Sequence, residues 1–310
     1  MSLPPNIAAP LARLDGEKPP APAWFDWAVG QAPERQAIEV EGAEIELLTW
    51  GEAGKPGLLF LHGNGAHADW WSFIAPFFAA DWRCAAISWS GMGGSGWREA
   101  YTAETFAREA LAGAEAAGLG PRPIIVAHSF GGFPAMYMAG AYPERMAGVV
   151  LVDSSIQPPE KRWNGPPPRT QPNRVYATLE EALARFRLAP PQDCENLYIA
   201  DFIARRSLRP APMPDGSGEG WTWKFDPFMW PKFERPDFGA MLPALKAPAA
   251  MVWGERSNLM GPQTVDYMLG LMPQGMPRVV IPDADHHVMI DQPLAFVAAL
   301  RGLLAAWPRG

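Results

Sequence analysis

The stretch that decides the fold is Ala127-His128-Ser129-Phe130-Gly131-Gly132, which follows the apolar run Pro123–Val126 and precedes Pro134–Ala139, a segment compatible with a helix. This order predicts a strand, a sharp turn and a helix, with the serine at the turn. A turn of this kind is strained and lifts the hydroxyl clear of the sheet, so the residues two before and two after the serine must be small. They are alanine and glycine. Ser129 is therefore the candidate nucleophile.

The serine pattern alone also occurs in many ordinary turns, so two further features have to accompany it. One is an upstream glycine-rich loop with free N–H groups, and the other is an acid followed by a histidine downstream. Upstream, Gly57–Leu61 predicts a buried parallel strand that ends in His62-Gly63-Asn64-Gly65. We assign the N–H groups that would stabilise an oxyanion to Asn64 and Phe130.

Downstream, the strand-like Pro277–Pro282 is followed by Asp283-Ala284-Asp285-His286-His287, which puts a histidine on a loop at the sheet edge. The other three histidines have different expected roles. His128 lies inside the turn and is expected to pack, His62 is expected to brace the loop beside it, and His67 carries no signal.

These motifs together resemble the α/β-hydrolase superfamily, in the branch with a serine nucleophile and a helical lid. His62–Gly65 looks like its oxyanion motif, Ser90–Gly96 like its glycine-rich turn, and Ala127–Gly132 like its elbow. In the family the catalytic histidine lies five residues before the acid of an acid-x-Pro ending, and counting back from Asp291-Gln292-Pro293 selects His286. The resemblance covers nearly the whole chain and implies an acyl-enzyme mechanism with no metal or organic cofactor.

The acid departs from the family pattern. The family commonly carries it on the loop after the strand here formed by Ala249–Trp253, where this chain has Ser257 and Asn258 in place of an aspartate. Other members carry it after the strand that follows the elbow helix, and here that strand ends in Asp153. A neutral amide would support the histidine poorly. Asp153 is the first choice for the acid, and the alternatives are Glu255 or a weakened dyad in which Asn258 or water supports the histidine.

Alternating strand and helix patterns predict an α/β fold with a mostly parallel central sheet and helices on both faces. A hairpin over 37–50 opens it, and the rhythm breaks from Gln157 to about Lys246. We therefore predict a hydrolase core of residues 1–156 and 246–310, interrupted by a helical cap of residues 157–245 that begins with Pro158-Pro159 and Pro166-Pro167-Pro168. Strands are predicted near 57–62, 83–88, 123–128 and 147–153, and helices near 70–80, 102–118, 131–142, 178–188 and 193–206.

Aromatic side chains crowd the second half of the predicted cap. We expect most of them to pack the cap onto the core and some to line the substrate pocket, which favours an apolar substrate. They are Trp221, Trp223, Phe225, Phe228, Trp230 and Phe233, with Met229 among them.

Composition is consistent with a cytoplasmic enzyme. The 310 residues carry a net charge of −7, which excludes a polycationic footprint for nucleic acid or anionic lipid. Cys84 and Cys194 are expected to be free thiols, and no apolar run reaches the roughly 20 residues that span a bilayer. The N-terminus lacks the pattern of a signal peptide. The expected partner is a small molecule, and the oligomeric state stays open.

The sequence thus predicts a serine hydrolase that cleaves an ester-like bond of a small, largely apolar substrate. The same residues would serve a lactonase, an amidase or a carbon–carbon bond hydrolase, and a binding protein with weakened chemistry is a further alternative. Gly91–Gly96 also matches Gly-x-Gly-x-x-Gly, a dinucleotide-binding pattern. That pattern requires a helix opening directly on the glycines, whereas the next helix is predicted to begin near Thr102.

Overall fold

The structure is a computed structural model that describes residues 3–161, 165, 169–273 and 275–307. The proline run Pro166–Pro168, predicted to open the cap, lies outside the described residues. The strands are β1 (Glu34–Val40), β2 (Ala43–Trp50), β3 (Gly57–Leu61), β4 (Arg83–Ile87), β5 (Ile124–His128), β6 (Gly148–Val152), β7 (Leu208–Pro212), β8 (Glu219–Trp223), β9 (Ala249–Gly254) and β10 (Arg278–Ile281).

The helices surround the sheet or belong to the segment inserted in it. They are α1 (Pro5–Ala8), α2 (Ala23–Gly30), α3 (Ala103–Ala116), α4 (Gly132–Ala141), α5 (Leu179–Leu183), α6 (Leu197–Arg206), α7 (Met229–Lys232), α8 (Phe238–Met241), α9 (Pro262–Leu271), α10 (Val288–Asp291) and α11 (Pro293–Ala306). Among the described residues, no helix has both the length and the apolar character needed to cross a bilayer.

Eight strands form the central sheet, in the order β1-β2-β4-β3-β5-β6-β9-β10. The β1–β2 and β2–β4 pairs are antiparallel, and every other pair is parallel. The inner strands β3 to β6 are buried along their whole length, which explains why they are continuous apolar runs. The predicted fold class is confirmed.

The turn between β5 and α4 is as sharp as its small residues predict. Ser129 has φ +53°, a left-handed backbone that costs a residue with a Cβ roughly 1–2 kcal/mol. Gly131 lies against the end of β3, where an added Cβ would come within 2.6 Å of the His62 carbonyl oxygen and 3.0 Å of the Leu61 carbonyl oxygen. Glycine is thus required here for the close approach of two backbones.

The helix predicted near 70–80 is wrong in type. The chain forms two short 3-10 turns instead, Ala68–Trp71 and Ala75–Phe77. Pro76 lies in the middle of the predicted helix, where its ring removes an N–H donor and clashes with the carbonyl of the residue four before it. The segment therefore turns with hydrogen bonds between residues three positions apart, as from the Ile74 N–H to the Trp71 carbonyl oxygen at 2.9 Å.

Residues 157–245, called the insertion below, are not purely helical. The helices predicted near 178–188 and 193–206 are α5 and α6, each shorter than expected. After α6 the chain forms an antiparallel hairpin, β7–β8, which the prediction of a helical cap missed. Tyr176 extends this hairpin through backbone bonds to Trp221. Two further short helices, α7 and α8, lead back to the core strand β9.

The contact of Gly131 with β3 predicts a stability difference between two glycine-to-alanine variants. Gly131→Ala should lower the free energy of unfolding by about 1–3 kcal/mol, because the new methyl group overlaps the carbonyl oxygens of β3. Gly302→Ala is the matched control, since Gly302 lies on the exposed side of α11 with nothing within 4 Å of an added Cβ. That variant should gain about 0.5–1 kcal/mol from helix propensity. Urea denaturation measures both, and equal effects in the two variants would contradict the packing argument.

Candidate active site

Three predicted side chains meet at the carboxyl edge of the sheet. His286 lies between the other two, with Nε2 2.9 Å from Ser129 Oγ and Nδ1 2.7 Å from Asp153 Oδ1. A carboxylate oxygen only accepts, so Nδ1 carries the proton and Nε2 is left to accept from the serine hydroxyl. Asp153 and His286 are buried, and Ser129 is partly exposed. The arrangement allows a proton to pass from the serine to the imidazole.

The acid sits directly after β6, and its carboxylate is held by three donors. Oδ1 accepts from His286 Nδ1 and from the Ser257 hydroxyl at 2.8 Å, and Oδ2 accepts from the Gly254 N–H at 3.0 Å. Asp153 itself has φ +46°, so it leaves its strand with the same left-handed backbone as the serine. In the sequence, Ser257 is only a departure from the family pattern for the acid, whereas in the structure it is a hydrogen-bond partner of Asp153.

The two alternative partners of His286, Glu255 and Asn258, lie elsewhere. Glu255 is exposed, and its carboxylate accepts from the N–H of Asp283 on the protein surface. Asn258 is exposed as well. The structure therefore brings only Asp153, of the three candidates, into contact with His286.

His128 does more than pack inside the turn. Its Nε2 lies 3.0 Å from the carbonyl oxygen of His286, to which it donates. Burial holds the pKa of His128 well below its usual range, so the ring stays neutral and keeps one proton for this bond. The backbone of the residue that carries the candidate base is thus fixed by the residue next to the candidate nucleophile. No sequence signal pointed to this contact, because 158 positions separate the partners.

The loop after β3 lies against the serine. A Cβ on Gly63 would be 3.1 Å from Ser129 Cβ, and the next residue, Asn64, is exposed. His62 braces this loop as expected: Nε2 accepts from the Trp89 N–H at 3.0 Å and Nδ1 donates to the Gly63 carbonyl at 2.7 Å. Burial lowers the pKa of His62 to about 3, so the donor and acceptor roles of the ring are fixed at neutral pH.

Aromatic residues of the insertion enclose the side chain that follows the serine. The ring of Phe130 has edge contacts with Trp230 and Phe233, at centroid distances of 5.9 and 5.5 Å. Phe106 and Phe133 of the core complete the cluster. Trp230 and Phe233, two of the predicted cap aromatics, therefore pack against Phe130, whose N–H is the candidate oxyanion donor.

This end of the insertion is bound to the core by backbone hydrogen bonds and by the Tyr101 hydroxyl. The N–H of Tyr101 donates to the Lys232 carbonyl at 3.0 Å, and the Glu234 N–H donates back to the Tyr101 carbonyl at 2.9 Å. The buried carboxylate of Asp226 accepts from the Tyr101 hydroxyl at 2.9 Å and pairs with Lys232 at 3.1 Å. These contacts hold the segment that carries Trp230 and Phe233 against the core, next to Phe130.

The glycine-rich loop at 91–96 is built to close on its own protein. The Gly91 N–H donates to the Gly96 carbonyl, and the Gly96 N–H donates to the Glu44 carbonyl, both at 2.8 Å. The Gly94 N–H donates to the carboxylate of Glu46, whose charge would repel a phosphate. These contacts disfavour the dinucleotide-binding alternative. Over the described residues, no group of three or more histidine, cysteine or carboxylate side chains is placed to hold a metal ion.

Comparison with known proteins identifies relatives over most of the chain. Residues 56–293 match the family model described as the alpha/beta hydrolase fold. The chain is 26% identical over 294 residues to esterase Rv0045c of Mycobacterium tuberculosis, covering 89% of this chain and 90% of that protein. It is 25% identical over 256 residues to the pimeloyl-[acyl-carrier protein] methyl ester esterase of Edwardsiella ictaluri, covering 80% and 93%.

Solved structures share the fold at lower identity. The crystal structure of esterase Rv0045c superimposes with a TM-score of 0.63 at 20% identity, covering 99% of each chain. E-2-(acetamidomethylene)succinate hydrolase superimposes with a TM-score of 0.69 at 18% identity, covering 88% of this chain and all of that one. The chain belongs to the α/β-hydrolase fold family, and the esterases among its relatives support the prediction that it is a hydrolase.

Proposed function

We propose that this protein is a carboxylic ester hydrolase that works through an acyl-enzyme on Ser129, with His286 as the general base and Asp153 as its partner. The observation that carries the proposal is the continuous hydrogen-bonded line from Ser129 Oγ through His286 to Asp153, with distances of 2.9 and 2.7 Å. Relatives named as esterases, similar over most of the chain, support the choice of an ester substrate.

In the first half-reaction, Ser129 Oγ bonds to the carbonyl carbon of the ester while its proton moves to His286 Nε2. The carbonyl electron pair shifts to the oxygen, and the N–H groups of Asn64 and Phe130 are the donors we assign to it. The tetrahedral species then expels the alkoxy group, which takes the proton from Nε2 and leaves as an alcohol. Asp153 stabilises the imidazolium throughout and is not itself protonated.

In the second half-reaction, water loses a proton to the same Nε2 and attacks the acyl carbon. Collapse of the second tetrahedral species returns the proton to Ser129 Oγ and releases the acid. The partly exposed ring of Trp230, packed against Phe130, supports a largely apolar substrate. In this proposal the insertion acts as the cap of a core made of residues 1–156 and 246–310.

The first test is covalent labelling of the serine. Wild-type protein incubated with a fluorophosphonate should gain the mass of one adduct, because the probe is attacked by an activated serine and the phosphonyl group is not released. Ser129→Ala should gain none. Ser217→Ala, which removes an exposed serine of the β7–β8 hairpin loop, should label as wild type does. Intact mass spectrometry reads the result, and an adduct that persists in Ser129→Ala would refute the assignment of the nucleophile.

A second test separates the candidate acids. Asp153→Asn should lower kcat for a small ester by about 10³- to 10⁴-fold, because the amide no longer holds the proton on His286 Nδ1 and stabilises the imidazolium poorly. Glu255→Gln is the matched change at the exposed alternative and should leave kcat within about twofold. Steady-state kinetics on both variants decide between them. Near-normal turnover in Asp153→Asn would remove Asp153 from the mechanism.

A further inference from the structure

Two ionisable groups on the loop that carries His286, one buried and one partly buried, have no part in the proposed mechanism. They are His287, which is 2% exposed, and Asp291, at the end of the short helix α10. Both bind the same side chain, Gln192, which belongs to the insertion and is 8% exposed. A buried amide that joins two ionisable groups has a specific arrangement of donors and acceptors.

The direction of each of these bonds is set by its partner. The backbone N–H of His287 can only donate, so the atom of Gln192 at 3.0 Å from it is the carbonyl oxygen Oε1. That oxygen also accepts from His287 Nδ1–H at 2.5 Å. The amide nitrogen Nε2 then faces both carboxylate oxygens of Asp291, at 2.9 Å each. Every polar atom of the Gln192 side chain is engaged with the loop.

A second amide of the insertion binds the same loop. Asn196 donates through Nδ2 to the carbonyl oxygens of Ile290 and Asp291, at 2.8 and 3.1 Å. On the opposite side, His128 donates to the carbonyl oxygen of His286 at 3.0 Å. The loop that carries His286 is therefore held between the core and the insertion.

We propose that Gln192 is a positioning residue for His286, through which the insertion controls the alignment of the catalytic base. The inference rests on the proposed function of Ser129, His286 and Asp153. His286 must keep both its nitrogens within hydrogen-bond distance of partners on two different strands, and a displacement of about 1 Å at such a site costs roughly 10²-fold in rate. The residue next to it, His287, is fixed at backbone and ring by Gln192.

Asp291 makes this contact sensitive to the identity of residue 192. Burial raises the pKa of Asp291 to about 7, so the charged form of its carboxyl group is stabilised by the hydrogen-bond donors around it. Those donors are Gln192 Nε2 and the N–H of Asp285, at 2.8 Å. Loss of the amide removes one of these donors from Asp291 and removes the acceptor of both His287 donors, the backbone N–H and Nδ1–H.

The test compares two glutamine-to-methionine variants, which keep side-chain length and remove the hydrogen bonds. Gln192→Met should lower kcat for a small ester by about 10- to 100-fold with KM changed less than about threefold, because the base is misaligned while substrate binding is kept. Gln157→Met is the control. Gln157 lies at the start of the insertion and also joins it to the core, through the Leu259 carbonyl and the Thr264 hydroxyl, both at 2.9 Å. Its variant should keep kcat within about twofold.

A spectroscopic readout tests the alignment without turnover. The proton shared by His286 Nδ1 and Asp153 should give a far-downfield proton NMR signal in wild type and in Gln157→Met, and that signal should be absent or shifted in Gln192→Met. Unchanged kcat and an unchanged signal in Gln192→Met would overturn the inference, as would an equal loss in both variants. Failure of the proposed function gives a different pattern, in which wild type itself takes up no fluorophosphonate.

Discussion

The site depends on one backbone constraint, a left-handed residue immediately after each of two neighbouring parallel strands. Ser129 follows β5 with φ +53°, and Asp153 follows β6 with φ +46°. Because parallel strands end at the same edge, both side chains leave the sheet close together, and each backbone turn directs its side chain out of the strand plane. The strain amounts to roughly 1–2 kcal/mol at each position, and the strands that carry the two residues, β5 and β6, are buried along their whole length. The loop after β10 then places His286 between the two side chains.

The acid shows how a carboxylate can be held without a charged partner. Asp153 is buried and accepts from a backbone N–H, a hydroxyl and an imidazole, and no lysine or arginine is among these contacts. Three donors replace the water that burial removes and fix the plane of the carboxylate. The serine at position 257 is therefore part of the acid's environment. An aspartate on the loop of Ser257 would place a second negative charge beside Asp153, which explains why a neutral donor suits that position here.

The sequence predicted the features that rest on local pattern and chain order. The buried strands β3 to β6 were found within a residue or two, because uninterrupted apolar runs between turn residues have few other interpretations. Long-range partners could not be predicted in this way, since no local sequence pattern near Ser257 or Gln192 indicates a contact about 100 positions away. The β7–β8 hairpin was missed for a different reason. Pro210 and Pro212 lie in β7, and proline is disfavoured in strands except at the edges of sheets. Both strands of a two-stranded hairpin are edge strands, so they tolerate these prolines.

Two of the contacts between the insertion and the core lie beside different parts of the site. On one side Tyr101, Asp226 and Lys232 hold the aromatic residues next to Phe130, the candidate oxyanion donor. On the other side Gln192 and Asn196 hold the loop of the candidate base. A displacement of the insertion would therefore act on two functions through separate contacts, backbone bonds with the Tyr101 hydroxyl in one case and two amides in the other. Because the serine and the acid follow strands of the core sheet, and Gly254 and Ser257 that bind the acid also belong to the core, such a displacement would leave them in place. It would alter the base and the surroundings of the oxyanion donor.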